Sequence, residues 1–462
     1  MSREGALAKN AAIFAVGNVG SKVLVLLLLP FCTYYIDQAG IGTYDLLYTL
    51  LEVLKPVAVL AVPEALFRWL LDKDADRRKV FASWSVLFLA LLSVFTVVYW
   101  GTWLVFRFAD AGLMYSLVVT GVCYLGLQFA TRGLHNNKLF AAQGVVYSVA
   151  MCSSSLLFVI LLGFGYRGML LGILVGNCAA SALMLFSQHR ELPLSLKGRD
   201  SALLRNMLRY SAFLLPNTLC WWLINGFSRV LVVGALGASA NGVFAIASRF
   251  PAALTTISGI FQQAWTEQAV GELSSADRDV YFSKIFSLYS KAMTSLVFVL
   301  VPATALFIDL ALCAEYADAN RYMGFLYLSG VFNAFSGFFG TGYFCGKDTK
   351  GAASTTVFGS IVSCGFGLAT INVIGLYGVT IGMLLGQASL WLVRVRQSKR
   401  YFRISIEWKS LLPGLAGCIA LALCVPHLGA LGSAALLPVC IVAALLYSRE
   451  FAGLLWRKAH RR

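Results

Sequence analysis

The chain has 462 residues, of which 59% are apolar and 13% charged, with a mean hydropathy of +0.76. A soluble domain carries roughly a quarter charged residues, so this balance excludes one. The formal charge of +16 would suit nucleic acid, but the placement of the basic residues excludes that as well.

In chain order, MSREGALAKN is a short polar lead without a small-residue cleavage site after a short apolar core, so the helix behind it is expected to be retained. Apolar runs of roughly 20 residues, enough to cross about 30 Å of hydrocarbon as helices, fall near 10–36, 42–70, 80–106, 111–133, 139–163, 166–188, 206–236, 241–266, 283–308, 321–345, 352–373, 376–398, 410–426 and 430–448. These are fourteen expected spans. The segments of about ten alternating residues that build an outer-membrane barrel are absent from the pattern. The fold class is therefore an all-α polytopic membrane protein.

Starting inside and alternating, the inner segments are the N-terminus, 71–80, 132–138, 189–210, 267–284, 346–350, 394–409 and the C-terminus, and they hold 28 of the 37 Lys and Arg. The outer loops hold Arg107, Arg167 and Arg321. That asymmetry follows the positive-inside rule and puts both termini in the cytoplasm. The basic excess is then a topology signal with weak attraction to anionic lipid heads. The eleven cysteines stand mostly singly in apolar runs, without CxxC or histidine partners, which predicts neither a metal site nor a disulfide framework.

Two stretches share one glycine comb: GYRGMLLGILVGN from Gly165 and GLYGVTIGMLLGQ from Gly375, each closed by an amide, Asn177 or Gln387. Glycines four apart let helices approach closely, so each comb is expected to hold its own bundle together. IGTY at 41–44 and NGVF at 241–244 repeat at an offset of 200 and are expected to be turns. Helices 1–6 and 7–12 thus read as two parallel six-helix repeats with a V-shaped cavity between them near mid-depth. The expected domains are 1–188, a cytoplasmic linker at 189–205, 206–400, and two lipid-facing additional helices with a basic tail in 401–462.

Charges inside spanning helices cost at least about 2.5–3.5 kcal/mol and usually face a bundle interior or a wet cavity. Helix 1 carries Asn18 and Lys22. Helix 2 carries Asp45, Glu52, Lys55, Glu64 and Arg68. Helix 7 holds Asn217, Trp221, Asn225 and Arg229 in one broad sector, helix 8 holds Arg249, and helix 9 holds Lys291. Glu64 with Arg68, and Glu52 with Lys55, have the spacing of intrahelical ion pairs. For Lys22, Arg229 and Arg249 the sequence puts no acid within helical reach, and a cavity lined by such cations wants an anionic guest, with Arg best shaped for phosphate oxygens. Asp45 and Glu52, seven apart on one face, can titrate as a proton or sodium site. Trp221, Trp222, Phe261 and Trp265 are candidates for stacking on sugar rings, although for Trp265, near the inner end of its helix, an interfacial anchoring role is the favoured reading. Prolines at 30, 56, 63, 216, 251 and 302 permit kinks.

GNVGSK (17–22), LPFCTYYIDQAGIGTYD (29–45), EALFRWLLD (64–72), LLPNTLCWWLINGFSRVLVVGALG (214–237), NGVFAIASRFP (241–251) and IFQQAW (260–265) together resemble the polysaccharide-export branch of the multidrug/oligosaccharidyl-lipid/polysaccharide exporter superfamily, the O-antigen and capsule-unit flippases. The resemblance covers roughly residues 8–400. It implies a bacterial inner-membrane carrier that moves a polyprenyl-diphosphate-linked oligosaccharide to the outer leaflet by alternating access, with no cofactor. It also implies a cationic cavity matching Lys22, Arg229 and Arg249. The family commonly has Ser-Asp-Arg where this chain has Ser228-Arg229 without the acid.

Under this reading Lys22, Arg229, Arg249 and Lys55 bind the diphosphate, while Asn18, Asn217, Asn225 and Trp221 help to hold phosphate or sugar. Asp45 and Glu52 couple transport to an ion. The expected partners are the lipid-linked oligosaccharide, the bilayer, a polysaccharide polymerase and a chain-length regulator. The alternatives are a carrier of the peptidoglycan precursor lipid and a cation-coupled drug exporter, whose cavity should be acidic or apolar. An enzyme would need positioned acids or bases near a reacting bond. The longest outer loop, DLALCAEYADAN at 309–320, is too short to build such a pocket, and no GxxxxGK[ST] marks an ATPase.

Overall fold

The computed structural model describes residues 28–71, 76–189, 198–346 and 348–448. Helix α1 occupies 28–35. It is followed by α2 (Gln38–Ala58), α3 (Val62–Leu70), α4 (Arg77–Phe106), α5 (Ala111–Gly133), α6 (Asn137–Leu156) with a π turn to Leu161, and α7 (Gly165–Ser187). After these come α8 (Ser201–Arg249), α9 (Pro251–Gly271), α10 (Arg278–Ala311), α11 (Asn320–Cys345), α12 (Thr349–Ile374), α13 (Leu376–Gln397), α14 (Trp408–Cys424) and α15 (Gly429–Tyr447). Every expected span from 42–70 onward coincides with one of these helices or with a consecutive pair. Of the first span, 10–36, only 28–36 lies within the described residues, as α1 and the break after it.

Among the described residues ten helices are long and apolar enough to cross a membrane, or up to eleven if the bent pair α2–α3 is one span. The helices are apolar around most of their circumference, as lipid requires. Val97, Val105, Val373 and Leu431 are 74%, 74%, 82% and 89% exposed, a surface that water would not tolerate. Polar caps close the ends: Asp37 accepts from Gly40 N, Asp76 from Arg78 N and Lys79 N, Asn136 from Leu139 N, and Asp348 from Gly351 N. Each satisfies amides that the first helical turn leaves open.

Two expectations change. The span 42–70 is not one helix, because α2 and α3 meet at 60°. Pro56 removes a donor inside α2, Leu60 and Ala61 follow with φ of 46° and 54°, and Pro63 lies in the first turn of α3 where its missing N–H costs nothing. NGVF at 241–244 and IGTY at 41–44 are helical rather than turns. The breaks fall just before them, at Ile36–Asp37 and at Gly237, whose φ of 86° and ψ of 174° suit only glycine. The 200-residue offset thus survives, moved a few residues upstream. The expected span 241–266 is itself divided at Phe250–Pro251.

The described residues fall into two compact units, one ending at Gly226 and the other beginning at Phe227. In the first unit the comb of α7 packs on α6. A methyl group on Gly168 would stand 3.1 Å from the Phe158 carbonyl carbon, and one on Gly176 would stand 3.1 Å from Met151 Cβ. In the second unit the comb of α13 packs on α12 in the same manner, with hypothetical methyls on Gly382 and Gly386 2.8 and 2.7 Å from the carbonyl oxygens of Ser363 and Gly359. Both combs open at positive φ, 54° at Gly165 and 59° at Gly375. Backbone-to-backbone packing therefore explains the repeated motif.

Gly382→Val is expected to overpack this seam by about 1–3 kcal/mol and to lower the melting temperature in detergent by about 5 °C. Gly144→Ala, whose new methyl meets nothing within 4 Å, should leave the temperature unchanged. Equal melting of both variants would remove the seam from the account.

In the second unit α14 and α15 do more than face lipid. Gly417 lies under the Phe298 ring of α10, Gly324 of α11 abuts Ala422, and Ser295 Oγ donates to the Ala444 carbonyl at 3.3 Å. Their outer faces remain apolar and exposed.

Candidate functional site

Within the first unit, α2, α5, α6 and α7 enclose a cavity of about 310 Å³. The i, i+3, i+4, i+7 spacing of one helical face brings Tyr48, Leu51, Glu52 and Lys55 of α2 to its wall. Gly121, Tyr124 and Gln128 of α5, Tyr147 of α6, and Ile173 and Asn177 of α7 complete most of the rest. Lys55 Nζ donates to Glu52 Oε1 at 2.6 Å, with the two side chains 25% and 46% exposed. The lysine stem crosses α5 over Gly121, where a methyl group would come within 2.9 Å of Lys55 Cδ, so a larger side chain there has to displace the stem.

Other lining residues form a hydrogen-bonded amide–phenol cluster. Gln128 Nε2 donates to Tyr124 OH at 2.7 Å, and Tyr124 OH donates to Gln143 Oε1 at 2.7 Å. Gln143 is itself anchored through Nε2 to the Phe140 carbonyl at 2.9 Å. The rings of Tyr124 and Tyr147 stack at 5.3 Å and 13°. Asn177, the closing amide of the first comb, donates through Nδ2 to Thr120 Oγ1 at 3.3 Å. The comb presses glycines against α6 and turns this amide onto the cavity wall.

A family model described as "Polysaccharide biosynthesis protein" matches residues 42–317. The chain belongs to the polysaccharide biosynthesis protein family. No curated protein matches it.

Among solved structures, an inward-facing multidrug resistance MATE family transporter of the MOP superfamily aligns with a TM-score of 0.65 at 16% identity, covering 87% of this chain and 95% of its own. The lipid II flippase MurJ in an inward closed conformation aligns at 0.64 and 14% identity, covering 97% and 99%. A MATE structure in the straight conformation aligns at 0.55 and 17%, covering 90% and 96%. This polysaccharide biosynthesis protein thus has the exporter fold of that superfamily, and it is a multi-pass membrane protein.

The expected site residues divide by location. Asn18 and Lys22 lie outside the described residues. Asn217, Trp221 and Asn225 lie on α8, but their side chains are outside what the structure describes. In the first unit Asp45 is buried at 5% exposure, while Glu52 and Lys55 line the cavity as the intrahelical pair that their spacing predicts.

In the second unit Arg229 and Arg249 are half-buried. Arg229 Nη2 lies 3.5 Å from Ser248 Oγ, and its guanidinium stands 5.6 Å from the centre of the Phe244 ring. Lys291 on α10 lies 3.6 Å from Glu407 at the start of α14, a partner 116 positions away.

Three expectations are corrected. No ion pair joins Glu64 and Arg68 among the described residues. Glu64 lies in the first turn of the short helix α3 and Arg68 in its last. Phe261 and Trp265 do not offer faces to a sugar: Phe261 stacks on Tyr289 at 4.1 Å, and Trp265, only 3% exposed, stacks on Phe338 at 4.3 Å. Trp222 is committed through Nε1 to the Thr49 carbonyl at 2.8 Å.

The reading by residue type missed Tyr124, Gln128, Gln143 and Tyr147. Their signal was present as symmetry about the turn at His135–Asn136. Tyr124 and Tyr147 are equidistant from it, as are Gln128 and Gln143, so an antiparallel hairpin must bring each pair together.

Proposed function

We propose that this protein is a flippase that moves a polyprenyl-diphosphate-linked oligosaccharide across the bacterial inner membrane by alternating access, with both termini cytoplasmic. The observation that supports the reading most is a polar cavity with an ammonium–carboxylate pair inside a bundle of lipid-facing helices, in a chain of the polysaccharide biosynthesis family. Charge in such a location is expensive and marks a pathway for a polar substrate. A polyprenyl tail stays in lipid, so protein need enclose only the diphosphate and sugars. Lys22, Arg229, Arg249 and Lys55 supply cations for the diphosphate, with Asn18, Asn217, Trp221 and Asn225 as neighbours for phosphate or sugar.

Coupling rests on Asp45 and Glu52. A coupling ion taken up at this site competes for the carboxylate that holds Lys55 at 2.6 Å and leaves the ammonium to the anionic substrate; loss of the ion restores the pair. A polysaccharide polymerase and a chain-length regulator are the partners on the receiving side.

The test is to close the cavity. Gly121→Leu forces a side chain into the Lys55 stem and is expected to leave lipid-linked oligosaccharide accumulating at the cytoplasmic face. Gly112→Leu on the same helix, where a new side chain starts in open space, should behave as wild type. Normal export by correctly inserted Gly121→Leu protein would discard the cavity as part of the route.

A further inference from the structure

We infer that the wall of this cavity formed by Tyr124, Tyr147, Gln128 and Asn177 is a sugar subsite, engaging a pyranose ring of the transported oligosaccharide; the inference rests on the flippase reading above. Recognition of a neutral sugar in a low-dielectric setting needs an aromatic face for the C–H surface of the ring and oriented amides for its hydroxyls. Both kinds of group line this cavity, and each is held by contacts within the protein.

The tyrosine rings brace each other in parallel at 5.3 Å, so one is held by the other rather than by the guest. The Gln128 amide nitrogen is spent on Tyr124 OH at 2.7 Å and more weakly on Gln143 Oε1 at 3.4 Å. That of Asn177 is spent on Thr120 Oγ1 at 3.3 Å. With their nitrogens held by protein, the carbonyl oxygens of Gln128 and Asn177 have no protein donor among the described residues. Neither is among the buried polar atoms lacking a partner, and both residues line the cavity, Asn177 at 5% exposure. Sugar hydroxyls are donors of matching kind, and satisfying such acceptors separates a hydroxylated guest from an apolar one.

The size agrees. About 310 Å³ is at the lower end of ligand pockets, which run about 300–1,000 Å³. That accommodates one or two sugar rings but not a polyprenyl chain. Lys55 and Glu52 line the same cavity, and a methyl group on Gly121 would meet both Lys55 Cδ at 2.9 Å and Asn177 Nδ2 at 3.8 Å, so a ring seated here lies beside the pair proposed for coupling.

The test uses the full-length protein in lipid nanodiscs and two kinds of probe: undecaprenyl diphosphate alone, and the same lipid carrying a single glucose, galactose or N-acetylglucosamine. Wild type is expected to bind at least one sugar-bearing probe about tenfold more tightly than the bare lipid, equivalent to about 1.4 kcal/mol. Gln128→Ala and Asn177→Ala should each erase most of that preference while leaving affinity for the bare lipid unchanged. Tyr124→Phe keeps the ring and the packing, so it serves if an alanine variant fails to fold; it should reduce the preference by releasing Gln128 from its partner. Binding of bare and sugar-bearing lipids with equal affinity overturns the subsite while leaving the flippase reading in place. A preference undiminished in the variants also assigns the sugar elsewhere. Failure of wild type to bind any of the probes overturns the flippase reading and the subsite with it.

Discussion

Replacing both Arg229 and Arg249 with alanine is expected to abolish surface-polymer export while protein remains in the membrane at its normal level. Each guanidinium can offer a bidentate, charge-assisted hydrogen bond to phosphate, worth about 1.5–3 kcal/mol. Loss of two such contacts lowers transport by a factor on the order of a hundred or more. The fold should tolerate the change. Both side chains are half-buried, so neither substitution opens a fully buried position. Arg→Lys at either position should restore part of the rate, because charge returns without the planar fork. The measurement is quantitation of surface polymer beside an immunoblot of membrane fractions. Full export by the double variant would remove these arginines from the substrate route.

Lys55→Met is expected to reduce export by about 10- to 100-fold, the range that loss of one charge-assisted contact predicts. Methionine keeps the apolar stem over Gly121, so packing changes little, and only the ammonium is lost. Glu52→Gln should act differently. Lys55 loses its 2.6 Å carboxylate partner, so substrate still binds, but export no longer responds to the proton or sodium gradient. The swapped pair Glu52→Lys with Lys55→Glu separates coupling from simple charge pairing. If the pair only neutralises itself, the swap restores export, because Coulomb attraction has no direction. If Lys55 must reach the substrate from its own position, the swap stays inactive. Export measured with and without an uncoupler reads both outcomes.

The parts of this molecule legible in the sequence are those fixed by local chemistry. Apolar runs predicted the spans, because bilayer thickness sets helix length irrespective of tertiary detail. The glycine combs predicted close helix packing, and Gly382 and Gly386 lie against backbone carbonyls of α12. Glu52 and Lys55 pair as their spacing on one helix requires.

Features created by tertiary contact were less visible. Lys291 meets Glu407 only because α14 returns to the base of α10. The bend at Leu60–Ala61 depends on two residues with no intrinsic preference for positive φ. The stacking candidates Phe261 and Trp265 turned inward, where burying a large aromatic surface outweighs an interfacial location. The tyrosine–glutamine wall escaped a residue-by-residue reading because its members look like ordinary core positions. Their meaning is in their equal distances from the α5–α6 turn.

The proposed movement of a diphosphate-linked sugar across the bilayer depends on the cations of this chain. Its most direct test is transport by purified protein in sealed proteoliposomes loaded with a fluorescent polyprenyl-diphosphate-linked sugar, read as the rate at which an external reagent gains access to the lipid. Wild-type vesicles should expose the probe well above the rate of protein-free vesicles, and vesicles with the Arg229→Ala/Arg249→Ala protein should fall to that background. Wild-type protein that moves the probe no faster than lipid alone, or a double variant that matches wild type, would contradict the account.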